Sequence, residues 1–345
     1  MSQKTPIFCT GATGYIGGAV LARLLNHPNR DNFQITALVR NPEKARILNT
    51  RFGVNAVLGS HHERDKIERL VEDNHVIFHV ADADDHELIK AVLKGLKNRH
   101  AKLGVMPILI HTSGAGVLAD NARGEYPSKT IYSDLDVRQL KDIPETAFHR
   151  TVDLRVVDAD ERGYARCQII LPSTVYGIAK HALVEAGVAN PRSIQIPTIV
   201  RASLSRGRAG VVGKGLSMWP SVHTTDLAEL YMVVFDNVME NPNKVGHGWQ
   251  GFYFAENGEH RWLDISNSVG QAMFELQLTE NPEPTSFTVE ELKKYFEYEE
   301  MGWYFGSNVR ARGDRGRELG WAPKRTTQDM LASIKPEVAM SAKKP

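Results

Sequence analysis

The sequence predicts an α/β protein: a doubly wound parallel sheet with a smaller lobe toward its C-terminal side. Three observations carry that expectation. Short apolar runs alternate with helix-period segments through the first half. A glycine-rich turn joins the first apolar run to the first helical segment. Beyond Pro172 the composition shifts to loops rich in Gly, Pro and Arg, mixed with short helices. The 345 residues are 42% hydrophobic and 24% charged, a globular balance that excludes a disordered or fibrous chain. Forty-two basic against 41 acidic residues, signs interspersed, leave a net charge of +1. No broad basic face follows, so neither nucleic acid nor a membrane surface is the expected partner.

Two cysteines, Cys9 and Cys167, cannot build a disulfide framework or a four-ligand zinc site. Both sit in apolar runs and read as buried free thiols, and no metal is expected. No run approaches the ~18 apolar residues of a membrane span. Gly11, Gly14, Gly17 and Gly18 break the stretch that could pass for a signal peptide. A cytoplasmic protein is the resulting expectation.

Taken in order, residues 6–9 form a buried strand, and Val20, Leu21, Leu24 and Leu25 share one face of the helix that follows. Strands are expected at 34–39, 54–58, 75–80 and 107–111, with helices at 65–72 and 87–98 between them. A polar segment, 120–144, is too long for a bare connector and reads as functional. A helix over 145–162 and a strand over 167–171 complete a sixth unit. An amphipathic helix returns at 225–237 and a strand at 251–255. The resulting division is a dinucleotide-binding domain over 1–175, to which 221–257 return. A substrate lobe takes 176–220 and 258–335, and the tail 336–345 reads as disordered.

Thr10-Gly11-Ala12-Thr13-Gly14-Tyr15-Ile16-Gly17 carries the nucleotide reading. Gly11 permits the tight turn and Gly14 lets backbone approach a pyrophosphate. Gly17 lets the helix pack on the sheet, and the helix N-terminus adds free N–H groups and a positive dipole. At the end of the second strand stands Arg40, with Lys44 and Arg46 one turn on and no acid for a ribose 2′-hydroxyl. That favours the 2′-phosphate of NADP(H), although solvated helix-start cations would look the same.

These residues resemble the extended or atypical short-chain dehydrogenase/reductase superfamily, which includes epimerase/dehydratase-like and NmrA-like members. The resemblance runs over nearly the whole chain. It implies a Rossmann fold, with Thr13, Tyr15 and Ile16 in the turn and Ala81 and Ala83 lining the cofactor. Ser113 in Ile110-His111-Thr112-Ser113-Gly114 matches the strand-five serine, and Pro172-Ser173-Thr174-Val175-Tyr176-Gly177 matches P-x-x-V-Y-G. Pro172 and Val175 would then meet the nicotinamide end. Val222-His223-Thr224-Thr225-Asp226 and Leu319-Gly320-Trp321-Ala322-Pro323 match the later motifs.

The pattern breaks at the catalytic helix, because no Y-x-x-x-K exists in the chain. Aligning that helix back from Gly163 puts Asp153 at its acid, His149 at the lysine and Glu145 at the tyrosine. The nearest substitute is Tyr126, 13 residues after Ser113, with Lys129 at i+3; Tyr132 is a second candidate. Both tyrosines could equally pack the loop onto the body. Met218-Trp219-Pro220, Tyr176, Leu183 and Trp262 suggest a partly apolar pocket, or simply core. The leading functional expectation is an NADP(H)-dependent oxidoreductase acting on a small organic carbonyl or alcohol, with Ser113, Tyr126 and His149 at the chemistry. A dinucleotide-sensing regulator and an isomerase using bound nucleotide stand as alternatives. The partner is a small-molecule substrate, with a homodimer left open.

Overall fold

The computed structural model describes residues 4–343. Seven strands form one parallel sheet: β1 (Thr5–Thr10), β2 (Phe33–Val39), β3 (Asn55–Leu58), β4 (Val76–His79), β5 (Ile108–Thr112), β6 (Arg166–Pro172) and a late strand, Phe252–Ala255. Their order across the sheet is Phe252–Ala255, β6, β5, β4, β1, β2, β3. The order reverses beside β1, and in such sheets ligands collect at the carboxyl ends of the strands there.

Both faces are covered, so the strands read as near-continuous apolar runs instead of alternating ones. On one face lies α1 (Tyr15–Leu25), which buries Val20, Leu21 and Leu24 against Leu227, Leu230, Tyr231 and Val234 of the helix Thr224–Glu240. On that same face, at the sheet edge, lies α2 (Pro42–Phe52), whose Ala45 and Leu48 join the same core. On the other face lie α3 (Arg64–Glu72), α4 (His86–Leu103) and α5 (Arg150–Glu161). Ile67, Val71, Leu88, Val92, Val152 and Val156 form that second core. Burying each such side chain is worth about 1.5–3 kcal/mol. Asn41 caps α2, accepting from the Lys44 N–H at 3.0 Å, with Pro42 in the first turn.

A smaller layer follows: β7 (Thr174–Tyr176) pairs in parallel with β8 (Met218–His223), which pairs antiparallel with Glu259–Arg261. The helix Gln195–Arg206 and the helices Trp262–Glu275 and Thr327–Ala342 pack around it. The expectation of a disordered tail from 336 is corrected, since the last helix runs through Ala342. Glu337 on that helix is 2% exposed and pairs with Arg192 at 2.8 Å. A lone tail residue would not have shown this long-range partner.

The 120–144 segment is also corrected. It is a structural clamp: Tyr132–Ser133 pairs with Ala311–Arg312. Buried Asp134 accepts from the N–H groups of Phe254, Asp314 and Arg315 at 3.0–3.1 Å. Among the described residues no helix is long and apolar enough to cross a membrane.

Candidate active site

The turn after β1 is shaped by what cannot fit there. Gly11 has φ +68, and a Cβ on it would lie 2.1 Å from the Val80 carbonyl oxygen. A Cβ on Gly17 would lie 2.2 Å from the Gly11 carbonyl oxygen. Backbone is thus packed on backbone, and only glycine permits it. Gly14 occupies the N-cap of α1, which has no side-chain cap and no acid in its first turn. The free N–H groups of that terminus are left for a ligand. Thr13 contributes through its backbone, its carbonyl accepting from the Asn190 N–H at 3.1 Å. The Tyr15 hydroxyl donates to the Gly177 carbonyl, tying the cradle to the smaller layer.

Gly14, Tyr15, Ile16 and Gly17 open onto a cavity of about 580 Å³ that runs past Val80, Ser113, Pro172, Ser173 and Val175. Its far end is walled by Phe148, His149, Trp219, Met301, Tyr304 and Phe305, with Arg192 and Ile194 at the rim. The length of this cavity and the free N–H groups at its glycine end fit a dinucleotide laid along the cradle. Arg40 is exposed and Lys44 half-buried, and neither makes an ion pair among the described residues. Arg46 by contrast is held by Glu43 at 2.6 Å.

Beneath the cavity floor lies a buried polar chain. The parallel register of β4 and β5 sets His79 beside His111, and their Nδ1 atoms approach to 2.8 Å. Burial holds His79 down at about 4 and His111 well below the usual histidine range. His111 Nε2 lies 3.7 Å from Asp153 Oδ1. The Ser113 hydroxyl donates to Asp153 Oδ2 at 2.9 Å. Burial pushes the Asp153 carboxyl up to about 7, against the lowering effect of that hydrogen bond.

Residues 11–140 match the NAD(P)H-binding family model. An oxidase, ucsJ, of Acremonium sp is 27% identical over 340 residues, spanning 94% of this chain and 93% of its own. A dTDP-glucose 4,6-dehydratase of Bacillus anthracis, solved with NAD, superposes with a TM-score of 0.63 at 15% identity over 97% of each chain. A UDP-glucose 4-epimerase of Thermus thermophilus, also solved with NAD, gives 0.62 at 15% identity, over 99% of this chain and 100% of the other. The chain has the fold of these solved structures. The match over residues 11–140 and the NAD held by those two structures support nicotinamide-dinucleotide binding, in line with the resemblance read from the motifs.

Within that fold, the cavity gathers Gly14, Tyr15, Ile16, Gly17, Ser113, His149, Pro172 and Val175. Gly11 and Thr13 shape the cradle from outside the lining. Ala81 and Ala83 are half-buried, and the end of β4 reaches the cavity through Val80 instead.

Tyr126 is the main correction. It is 53% exposed, lies in irregular chain and is not among the cavity-lining residues. Lys129 is exposed too, and no helix brings it to the tyrosine's side. Tyr132 is spent in the clamp strand. Besides Tyr15, whose hydroxyl is engaged by the Gly177 carbonyl, the cavity is lined by Tyr304, whose hydroxyl sits over Gly116, close to where a Cβ would be. Nothing in the local sequence marks it, because Tyr304 comes from the distant helix Glu299–Tyr304.

The α5 expectation is shortened. The helix begins at Arg150, so Glu145 lies exposed ahead of it and fills no catalytic position. His149 is the N-cap residue, in the left-handed region at φ +66. Its Nδ1 meets Asp84 Oδ1 at 2.9 Å. In the Asp82–Asp85 turn, Asp84 serves His149, and Asp85 caps α4 by accepting from the N–H groups of Glu87 and Leu88. His223 positions its loop, accepting from the Thr225 N–H at 3.1 Å. Trp219 reaches the cavity, whereas Tyr176, Leu183 and Trp262 are core.

Proposed function

We propose that this protein is an NADP(H)-dependent oxidoreductase that interconverts a small organic carbonyl and its alcohol. The observation that carries the reading is the position of Ser113, a hydroxyl on the cavity wall between the glycine cradle and an aromatic chamber. A bound nicotinamide would supply or accept hydride there. The cradle residues Gly11, Gly14 and Gly17 and the free terminus of α1 would hold the pyrophosphate. Arg40, with Lys44 one turn on, would meet a 2′-phosphate.

The chamber argues for an uncharged substrate. Its walls are Phe148, Trp219, Met301, Tyr304 and Phe305. The arginine at its rim, Arg192, is already paired with Glu337 at 2.8 Å. A nucleotide-sugar diphosphate would need unpaired cations that these walls do not offer. The oxidase name of the Acremonium relative also favours redox chemistry over a purely regulatory role.

The test is direct. Purified protein, NADPH and a panel of aromatic and aliphatic aldehydes and ketones should show loss of absorbance from reduced nicotinamide. Ser113→Ala should slow turnover with NADPH affinity nearly unchanged, since the serine acts on the substrate oxygen. A protein that binds NADPH yet reduces nothing on the panel overturns the reading.

A further inference from the structure

We propose that Asp84 and His149 form the acid–base pair of the site, with His149 Nε2 giving the substrate oxygen its proton in place of the absent tyrosine. The inference rests on the reductase reading above and assigns its proton.

The geometry is that of an oriented imidazole. Asp84 Oδ1 lies 2.9 Å from His149 Nδ1, which fixes the tautomer that carries hydrogen on Nδ1. The Nε2 atom has no hydrogen-bond partner among the described residues. It lies over Gly114, 2.7 Å from where a Cβ would stand, so the glycine beside Ser113 is what lets the ring in. His149 lines the cavity, and its side chain is 13% exposed. Asp153, the partner of the Ser113 hydroxyl, is one helical turn on at i+4, so serine and imidazole face the same space. The left-handed backbone at His149 turns the side chain off the helix start toward that space.

Each element packed around the ring contributes to its charge environment. Asp84 comes from the turn after β4, Asp153 from α5 itself and His111 from β5 below. Tyr304 stands across Phe148, whose ring lies 3.9 Å from the imidazole and 5.8 Å from the tyrosine. His86 reaches α5 through Thr151 at 3.3 Å. Asp84 and Asp153 are thus the acidic groups that face the ring, and burial holds His111 well below the usual histidine range. Tyr304 is the rival donor, but burial and then Asp84 push its hydroxyl's proton affinity up.

In the reduction, a bound dihydronicotinamide would supply hydride to the carbonyl carbon and be oxidised in doing so. The carbon–oxygen π bond breaks and its electron pair takes the proton from Nε2. The pair Asp84–His149 is left neutral at the imidazole and is recharged from solvent. His149 is the catalytic residue, and Asp84 is a positioning residue acting through it.

Two measurements test this. The first needs no turnover: ¹⁵N spectra of histidine-labelled protein, with the His149 signals identified by their loss in His149→Asn, should show hydrogen on Nδ1. Asp84→Asn should abolish that preference. A His149 ring with hydrogen on Nε2 in the neutral form overturns the pair. The second is the pH profile of kcat with NADPH and the best aldehyde or ketone of the panel. His149→Asn should lower kcat about 10²- to 10⁴-fold, remove the alkaline limb and leave NADPH affinity unchanged. Asp84→Asn should move that limb to lower pH, and Tyr304→Phe should alter KM while the limb stays. An intact limb in His149→Asn, or its loss in Tyr304→Phe, overturns the assignment while the reductase reading stands. Absence of turnover in unmodified protein overturns both.

Discussion

Ser113 donates its hydroxyl hydrogen to Asp153, a fully buried carboxyl with no other hydrogen-bond partner. The direction of that bond decides what the serine can do. When Asp153 is ionised, it takes the hydroxyl hydrogen inward. When Asp153 is protonated, it donates to Oγ and frees the serine to donate outward to a substrate oxygen.

Asp153, raised by burial from 3.8 to about 7, links this switch to stability. The folded state binds that proton more tightly than the unfolded chain. Its contribution is complete below about pH 4 and is lost as pH rises through about 7. Asp153→Asn should flatten this fall, so the variant's Tm should gain on the wild type between pH 5 and 8. The difference between the two calorimetric curves carries the test, because His79, lowered to about 4, has the opposite slope. A constant difference across that range would refute an ionisable role for Asp153.

Cofactor choice rests on Arg40, which is exposed and unpaired among the described residues. A charge-assisted phosphate contact is worth about 1.5–3 kcal/mol. NADPH should therefore bind about 10- to 150-fold tighter than NADH, and Arg40→Asp should remove most of that margin. Fluorescence titration with both dinucleotides decides, and equal affinities in the unmodified protein would exclude the 2′-phosphate contact.

Gly17→Ala places a methyl 2.2 Å from a backbone carbonyl. Because neither α1 nor β1 can move alone, overpacking should cost about 1–3 kcal/mol of stability and weaken NADPH binding together with it. Denaturant midpoints and NADPH titration on the same preparation test the coupling. A variant of normal stability and affinity would show that the helix does not sit this close.

Tyr126→Phe should leave kcat and KM within twofold of the wild type, roughly the scatter of a surface substitution. The residue's only described tie is its backbone carbonyl, which accepts from Asn308 at 3.0 Å. Steady-state kinetics across the carbonyl panel are sufficient, and a 100-fold loss would restore the loop tyrosine to the chemistry.

What the sequence made legible was whatever short-range pattern encodes. β1, the turn at Gly11–Gly17 and α1 were readable because strand, glycine spacing and helix period follow within 25 residues. Ser113, Pro172 and Val175 were readable because their motifs sit at strand ends, and the sheet delivers strand ends to one place. Tyr304, Phe148 and Arg192 were not, since each reaches the cavity from a separate loop or helix with no periodic signal. Asp84 was visible only as one of three acids after β4. Its pairing with His149, 65 residues away, depends on tertiary packing. Tyr126 misled because 13-residue spacing from a serine is meaningful on a helix, and that segment has none.

The seventh strand, Phe252–Ala255, pairs with β6 and closes that side of the sheet. Seventy-nine residues lie between Pro172 at the end of β6 and its first residue. At ribosomal speeds of about 5–20 residues per second, a nascent chain spends roughly 4–16 s with the edge of β6 bare. During that interval Ile169, Ile170 and Leu171 form an apolar template open to a second emerging chain. Trigger-type chaperones, or slow translation through the 173–251 stretch, would thus have their largest effect on yield at this one edge.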